Sequence, residues 1–404
     1  MKKIIFILQI FLILICFTGC YDARGIEELA YVVAIGLDTS GENQIELSLQ
    51  FATASKSSSS SESSGSSSQS KETNITTIKC NTINSGIALI NSHISKKINL
   101  SHCKVLVISE ELAKKGISRY IDTLCNNIEI KADCSVIVSK CDAKEYLENV
   151  KPALENLTAR YYESTINSAE YTGYTVDMTL AEFYSKTKDS YCEPYAILGS
   201  ITKEENSSSP EINAKYFAGD NPIDDKDIID NLGIAVFKDD KFIGELTGLD
   251  SLCHVIITNE LDECTLTVPK QNEKEKYFDL LLTPEKCTKC SVSFENDIPH
   301  ININVSLRGK GLSINENSKY STECSIDEIN TYASKYLKDA IMAYLNKTSK
   351  EYGSDICGFG KYAVKNYLTI DDWYSSNWLE NYQNADFSVN VSITVESGAA
   401  FMEQ

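Results

Sequence analysis

Positive charge is what this 404-residue chain is short of. Lys and Arg number 38 against 57 Asp and Glu, for a net charge of −19. Nucleic-acid binding needs clustered cations to neutralise phosphates, so that class is excluded, and no basic patch is on offer to grip anionic lipid. Histidine is scarce too. His93, His102, His254 and His300 stand singly, without Cys, Asp or Glu at ligand spacing, and each reads as a surface or core residue. There is no GxSxG, no P-loop and no GxGxxG behind a strand. Gly358-Phe359-Gly360 lacks the following GK[ST] of a phosphate loop, and the pairs Asp224-Asp225 and Asp371-Asp372 fall in polar loops as solvated carboxylates. Many of the 22 tyrosines lie on helix stripes, where packing is their role. No catalytic, cofactor or metal site is therefore expected, and a binding or scaffold protein fits better than an enzyme.

Long apolar runs are missing as well, with one exception. Lys2 and Lys3 precede Ile4 to Phe17, which only Gln9 interrupts, and the chain turns polar from Tyr21-Asp22-Ala23-Arg24. A basic start, a short apolar core and small residues before a break make a secretory signal. The run is short for a spanning helix, which needs roughly 20 apolar residues. Cys20 directly follows small Thr18-Gly19, and this resembles a bacterial lipobox, with Phe17 where that motif usually carries an aliphatic residue. The resemblance implies lipidation: cleavage between Gly19 and Cys20 and a diacylglyceryl group on the Cys20 sulfur, with room for a further acyl chain on its nitrogen. Two or more acyl chains make a stable anchor. An ordinary signal peptide with an incidental cysteine is the competing reading; the absence of a small-x-small site just downstream speaks against it. Residues 1–19 are thus expected to be a signal peptide, and the rest a body tethered outside the cytoplasmic membrane.

Of 14 cysteines, twelve remain once Cys16 and Cys20 are set aside. An even number outside the cytoplasm permits disulfides, whereas irregular spacing and a chain large enough for real cores permit buried thiols; both stay open. Cys287-Thr288-Lys289-Cys290 is the one CxxC, without a second pair at zinc spacing.

Along the chain, Tyr31 to Asp38 predicts a buried strand, and Ile45, Leu47, Leu49 and Phe51 a half-buried one, joined as a hairpin. Ser55 to Ser70 is nearly all serine and is expected to be a mobile loop. Ile83, Ile87, Ile90, Ile94 and Ile98 predict one helix, Glu110 to Asn126 another, and Val105 to Ile108 and Cys134 to Val138 two strands. Ala143 to Asn149 and Thr179 to Lys186 are further helices. This is a mixed α/β domain over 20–202. Polar Lys203 to Pro210 reads as a junction. Beyond it, 211–404 divides into a central hairpin region, 211–270, and a sheet plus long helix, 275–404. Ser325-Ile326-Asp327-Glu328 is a capping box, and the stripe from Ile329 through Tyr332, Tyr336, Ile341 and Leu345 predicts a helix closed by Gly353. Phe387, Val389, Val391, Ile393 and Val395 predict a closing strand. The fold class is α+β in several domains: a mixed α/β half, then a mostly antiparallel sheet on a long helix.

Four stretches resemble the Ger(x)C spore germination lipoproteins, the C subunits of nutrient germinant receptors. They are Gly19 to Ala30, Ser101 to Ile108, Gly233 to Lys241 and Gly353-Ser354-Asp355-Ile356-Cys357-Gly358-Phe359-Gly360, with Trp373 and Trp378 after the last. Tyr21 stands for that family's usual Trp, and Cys357 for its common Phe. The Ser55 to Ser70 insertion and the cysteine count also depart from it. The resemblance implies a non-catalytic, lipid-anchored subunit on the outer face of the spore inner membrane, acting with the receptor's A and B subunits. The Gly353–Gly360 motif itself reads as structural, its glycines letting the chain wrap Phe359 under the long helix. A substrate-binding lipoprotein of a small-solute transporter is the alternative, and an anchored hydrolase comes third.

Overall fold

Strand β1 (Leu29–Thr39) organises the first half of the chain. In the computed structural model, which describes residues 3–5, 25–41, 43–52, 74–152, 154–155, 157–202, 211–223, 228–269, 277–314 and 326–396, Val32 through Leu37 are buried without interruption. A strand apolar on both faces has to lie inside a sheet covered on both sides. β1 pairs antiparallel with β2 (Ile45–Phe51) and parallel with β5 (Val105–Ser109); β3 (Ile75–Cys80) adds to β2, and short β4 (Lys97–Asn99) runs beside the start of β1. Parallel β6 (Ser135–Ser139) and β7 (Tyr195–Ile201) follow, then antiparallel β8 (Ile229–Lys238) and β9 (Lys241–Leu246). The order is β3-β2-β1-β5-β6-β7-β8-β9.

Helices α1 (Ile83–His93), α2 (Glu110–Lys115), α3 (Ser118–Cys125), α4 (Ala143–Glu148), α5 (Thr158–Asn167), α6 (Ala169–Thr172) and α7 (Leu180–Thr187) connect and cover these strands. Two expected helices are altered, each for a local reason. The Ile83 to Ile98 stripe ends as a helix at His93, and its last member lies on β4. The helix expected from Glu110 to Asn126 breaks at Gly116 (φ +101°), where the β8–β9 turn docks: Ile117 N–H donates to the Asp240 carbonyl (3.1 Å) and Ser118 N–H to its carboxylate (3.0 Å). The polar face of β2 is buried as well. Gln50 is held by the Leu147 carbonyl (3.2 Å) and the Tyr162 hydroxyl (2.8 Å).

The hairpin β8–β9, grouped from sequence with the C-terminal half, hydrogen-bonds to β7 from Tyr195↔Val236 to Ile201↔Ile229. The first sheet therefore continues beyond the 203–210 junction. Helix α8 (Gly248–Thr258) comes next, capped by Thr247 and Asp250 and buried from Gly248 through Ile257. It packs on β8 on one side and on α9 (Ile326–Asn346) on the other. A helix buried all round has no polar stripe, and sequence periodicity gave no sign of it.

The second sheet has the order β10 (Cys264–Pro269), β11 (Tyr277–Glu295), β12 (Ile298–Ile314) and β13 (Asp386–Glu396). Only β12–β13 is parallel. α9 lies on it through Ile329, Ala333, Leu337, Ile341, Tyr344 and Leu345, and a π-helical turn, Lys347–Glu351, prolongs the helix. The capping serine, Ser325, lies outside the described residues. The mixed α/β first half and the mostly antiparallel sheet on a long helix match the expected class, and apolar residues of both join one core.

β13 is an edge strand, and unpaired edge N–H groups invite pairing with another chain. Here α9 takes two of them: Ile393 N–H donates to Ser334 Oγ (3.0 Å) and Val395 N–H to Asn330 Oδ1 (2.8 Å). Replacing Asn330 and Ser334 together by Ala should lower stability by about 1 kcal/mol per bond and promote self-association. Urea midpoint and light scattering of the variant check this; an unchanged midpoint with no scattering would speak against the edge cover.

Candidate functional site

Cys20, the one site residue expected from sequence, lies outside the described residues, as does the serine-rich stretch from Ser55 to Ser70. The four histidines do not converge. His93 and His102 are exposed, His300 is half-buried, and His254 is in the core. Among the described residues no group of three or more His, Cys, Asp or Glu is placed to hold a metal. All eleven described cysteines are free thiols, including exposed Cys287 and half-buried Cys290 of the CxxC. Cys103 and Cys134 approach most closely, 3.8 Å between sulfurs at the starts of neighbouring strands.

The Gly353–Gly360 segment is where the two halves are joined. Gly353, with φ +59°, reverses the chain after the π-helical turn. Asp355 follows, fully buried, and its carboxylate accepts from Phe359 N–H (3.0 Å), Gly360 N–H (2.9 Å) and Trp378 Nε1–H (2.9 Å). All three partners are donors, so the geometry holds the ionised form. Burial opposes them and raises the acid to about 6. Gly360 admits no side chain, since a Cβ there would stand 2.3 Å from the Tyr191 carbonyl oxygen. On the other side of the seam, Glu193 N–H donates to the Asp355 carbonyl (3.0 Å), and the Glu193 carboxylate accepts Asp239 N–H (2.8 Å) at the β8–β9 turn. Burial pushes Glu193 to about 7. Ser354 Oγ donates to the Phe237 carbonyl of β8 (2.7 Å).

Aromatic rings fill the surroundings. Helix α10 (Gly360–Ala363) leads to α11 (Ile370–Ser376) and α12 (Trp378–Asn381), which bring Trp373 and Trp378 into stacking contact, with Tyr191 on the outer face of Trp373. Trp373 Nε1–H donates to Ser190 Oγ (2.9 Å). Phe359 is buried and stacks on Tyr382.

One cluster was invisible in the sequence because one member, His254, stands 90 and 103 residues from the other two. His254 Nδ1 lies 2.7 Å from the Tyr344 hydroxyl and 3.8 Å from Cys357 Sγ, and that sulfur is 3.0 Å from the same hydroxyl. A Cys–His pair suggests a nucleophile, but the electrostatics run the other way. Desolvation lowers His254 to about 3 and raises the Cys357 thiol well above its ordinary range. A neutral imidazole beside a neutral thiol lacks the thiolate on which cysteine catalysis depends. The cluster joins α8 to α9 beside the Asp250–Lys347 ion pair (2.7 Å).

At the outside of the seam opens a cleft of about 540 Å³, with Glu170, Asp177, Glu182, Asp189 and Glu260 facing Lys186 and Lys361. Several of these charges already have partners: Glu182 caps α7 through Thr179, Asp177 accepts from Ser135 (3.0 Å), and Lys186 stands 5.0 Å over the Tyr195 ring. The cleft has the volume and mixed charge to admit a small polar solute.

Two family models match the chain, the spore germination protein N-terminal domain over residues 22–201 and the spore germination B3/GerAC-like C-terminal domain over 232–398. The chain belongs to the GerAC-like spore germination protein family. Among curated Bacillus subtilis (strain 168) members, the putative spore germination protein YfkR is 22% identical over 96% of this chain and 94% of its own length. Spore germination protein KC is 21% identical over 94% and 92%. The crystal structure of the GerBC protein superposes with a TM-score of 0.50 at 14% identity, covering 89% of this chain and 96% of that one, a likeness of fold. In this GerAC-like chain one of the four stretches that carried the sequence resemblance, Gly353 to Gly360, forms the seam.

Asp355→Ala leaves three buried donors without an acceptor and should cost about 3 kcal/mol or more. Asp355 and Glu193 both titrate above the ordinary carboxylate range, so between about pH 4 and pH 7 the folded state binds more protons than the unfolded state, and stability falls as pH rises through that window. Glu193→Gln should flatten the upper part of the slope. Urea denaturation across this range checks both expectations, and a variant with the wild-type slope would show that Glu193 does not set it.

Proposed function

We propose that this chain is the lipid-anchored C subunit of a nutrient germinant receptor, a component without a reaction of its own. The match of both family models along most of the chain is the observation that carries the reading. Cys20 after Thr18-Gly19 supplies the anchor, and among the described residues no helix is long and apolar enough to cross a membrane. The body then stands on the outer face of the spore inner membrane beside the A subunit and the multi-spanning B subunit. The Cys–His–Tyr cluster supports a non-catalytic part, because its protonation states suit packing. The cleft at the seam favours a second reading, capture of a small solute.

Affinity capture of tagged protein from spore membranes should recover A and B subunits. Cys20→Ala should shift the chain from the membrane to the soluble fraction and impair the germination response. Recovery without either subunit, together with a solute-dependent rise in Tm, would favour solute capture.

A further inference from the structure

β1, β5 and β6 are parallel and in near register, Ala34 beside Val105 and Val105 beside Ser135, so all three begin at the same end of the first sheet. β4 lies at that end too, Lys97 beside Leu29. Among the described residues, the segments leading into these strands lie at its surface. One of them carries Ile128, which is 100% exposed and borders a groove with Lys97, Leu100 and Asn127. Lys96, Lys97 and Lys131 are exposed there and enter no ion pair among the described residues. Against them stand Glu27, Glu28, Glu129 and Asp133, Glu129 accepting from Leu100 N–H (3.1 Å). Three cations to four carboxylates is a less acidic balance than the chain's 38 to 57, so an anionic surface repels this end less than the remainder.

Chain length decides which way this end faces. Residues 21–24 alone separate Cys20 from Gly25, and even fully extended they keep Gly25 within about 18 Å of the anchored residue. The other end of β1 is farther by the length of the strand, about 35 Å for its run of residues. We propose that the end at which β1, β5 and β6 begin rests on the phospholipid bilayer, with Ile128 set into its interface. This inference depends on the lipid anchor at Cys20 and adds the orientation of the body. An apolar side chain as exposed as Ile128 gains by entering the head-group boundary, whereas in water it stays uncovered.

The test uses the full-length lipidated protein in phosphatidylethanolamine–phosphatidylglycerol vesicles, with and without brominated lipid. Both native tryptophans, Trp373 and Trp378, are buried and give a constant background. Ile128→Trp reports from the proposed contact, and Glu111→Trp, exposed in the first turn after β5, from the opposite end. Brominated lipid should remove most of the emission added by Ile128→Trp and leave that added by Glu111→Trp. If the chain floats with the vesicles but Ile128→Trp is not quenched, the orientation is wrong, the anchor stands and a protein partner becomes the occupant of this surface. If the chain does not float, or Cys20→Ala floats equally, the anchor itself fails and the tether argument with it.

Discussion

A carboxylate without water is the constraint on which this molecule turns. Asp355 is fully buried and enters no ion pair among the described residues; two backbone N–H groups and an indole N–H hold it. Its cost is desolvation, which these donors offset only while every one stays in place. The segments that supply them are therefore fixed relative to one another: the Phe359-Gly360 turn, the tryptophan helices and, through the Asp355 carbonyl and Glu193, the β8–β9 turn. The buried helix α8 ties the same parts from the other side through His254–Tyr344 and Asp250–Lys347. Two sheets that could have been separate domains share one interior.

This arrangement bears on function. Asp355, Glu193, His254 and Cys357, all with shifted proton affinities, lie along the seam and are engaged with one another, with the backbone or with Trp378. Perturbed groups often mark catalytic sites, but structural networks shift them as well. Here desolvation is the leading cause for each, and the shifts favour the neutral forms. A rigid body whose unusual chemistry is spent on its own joint suits a part that positions others, in keeping with membership of a germination protein family.

Much of this was legible in the sequence, where local pattern decides local structure. Val105-Leu106-Val107-Ile108 could only be a strand covered on both faces, the stripe from Ile329 to Leu345 could only lie against a sheet, and the glycines of Gly353 to Gly360 announced a close approach. The misses have physical reasons. Tyr195-Ala196-Ile197-Leu198-Gly199 lacks alternation because β7 is buried on both faces. α8 lacks a polar stripe for the same reason. β11 was overlooked because Pro284-Glu285-Lys286-Cys287 is exposed and bulged, hiding the period of two. The meeting of His254, Tyr344 and Cys357 depends on tertiary packing, which no spacing encodes.

Unity of the two halves is the central claim, and equilibrium unfolding tests it most directly. Trp373 and Trp378 report from the seam, while far-ultraviolet circular dichroism reports from both sheets. In urea the two signals should change together in one transition. An indole signal lost well before the dichroism, with one sheet persisting after the seam has opened, would contradict it.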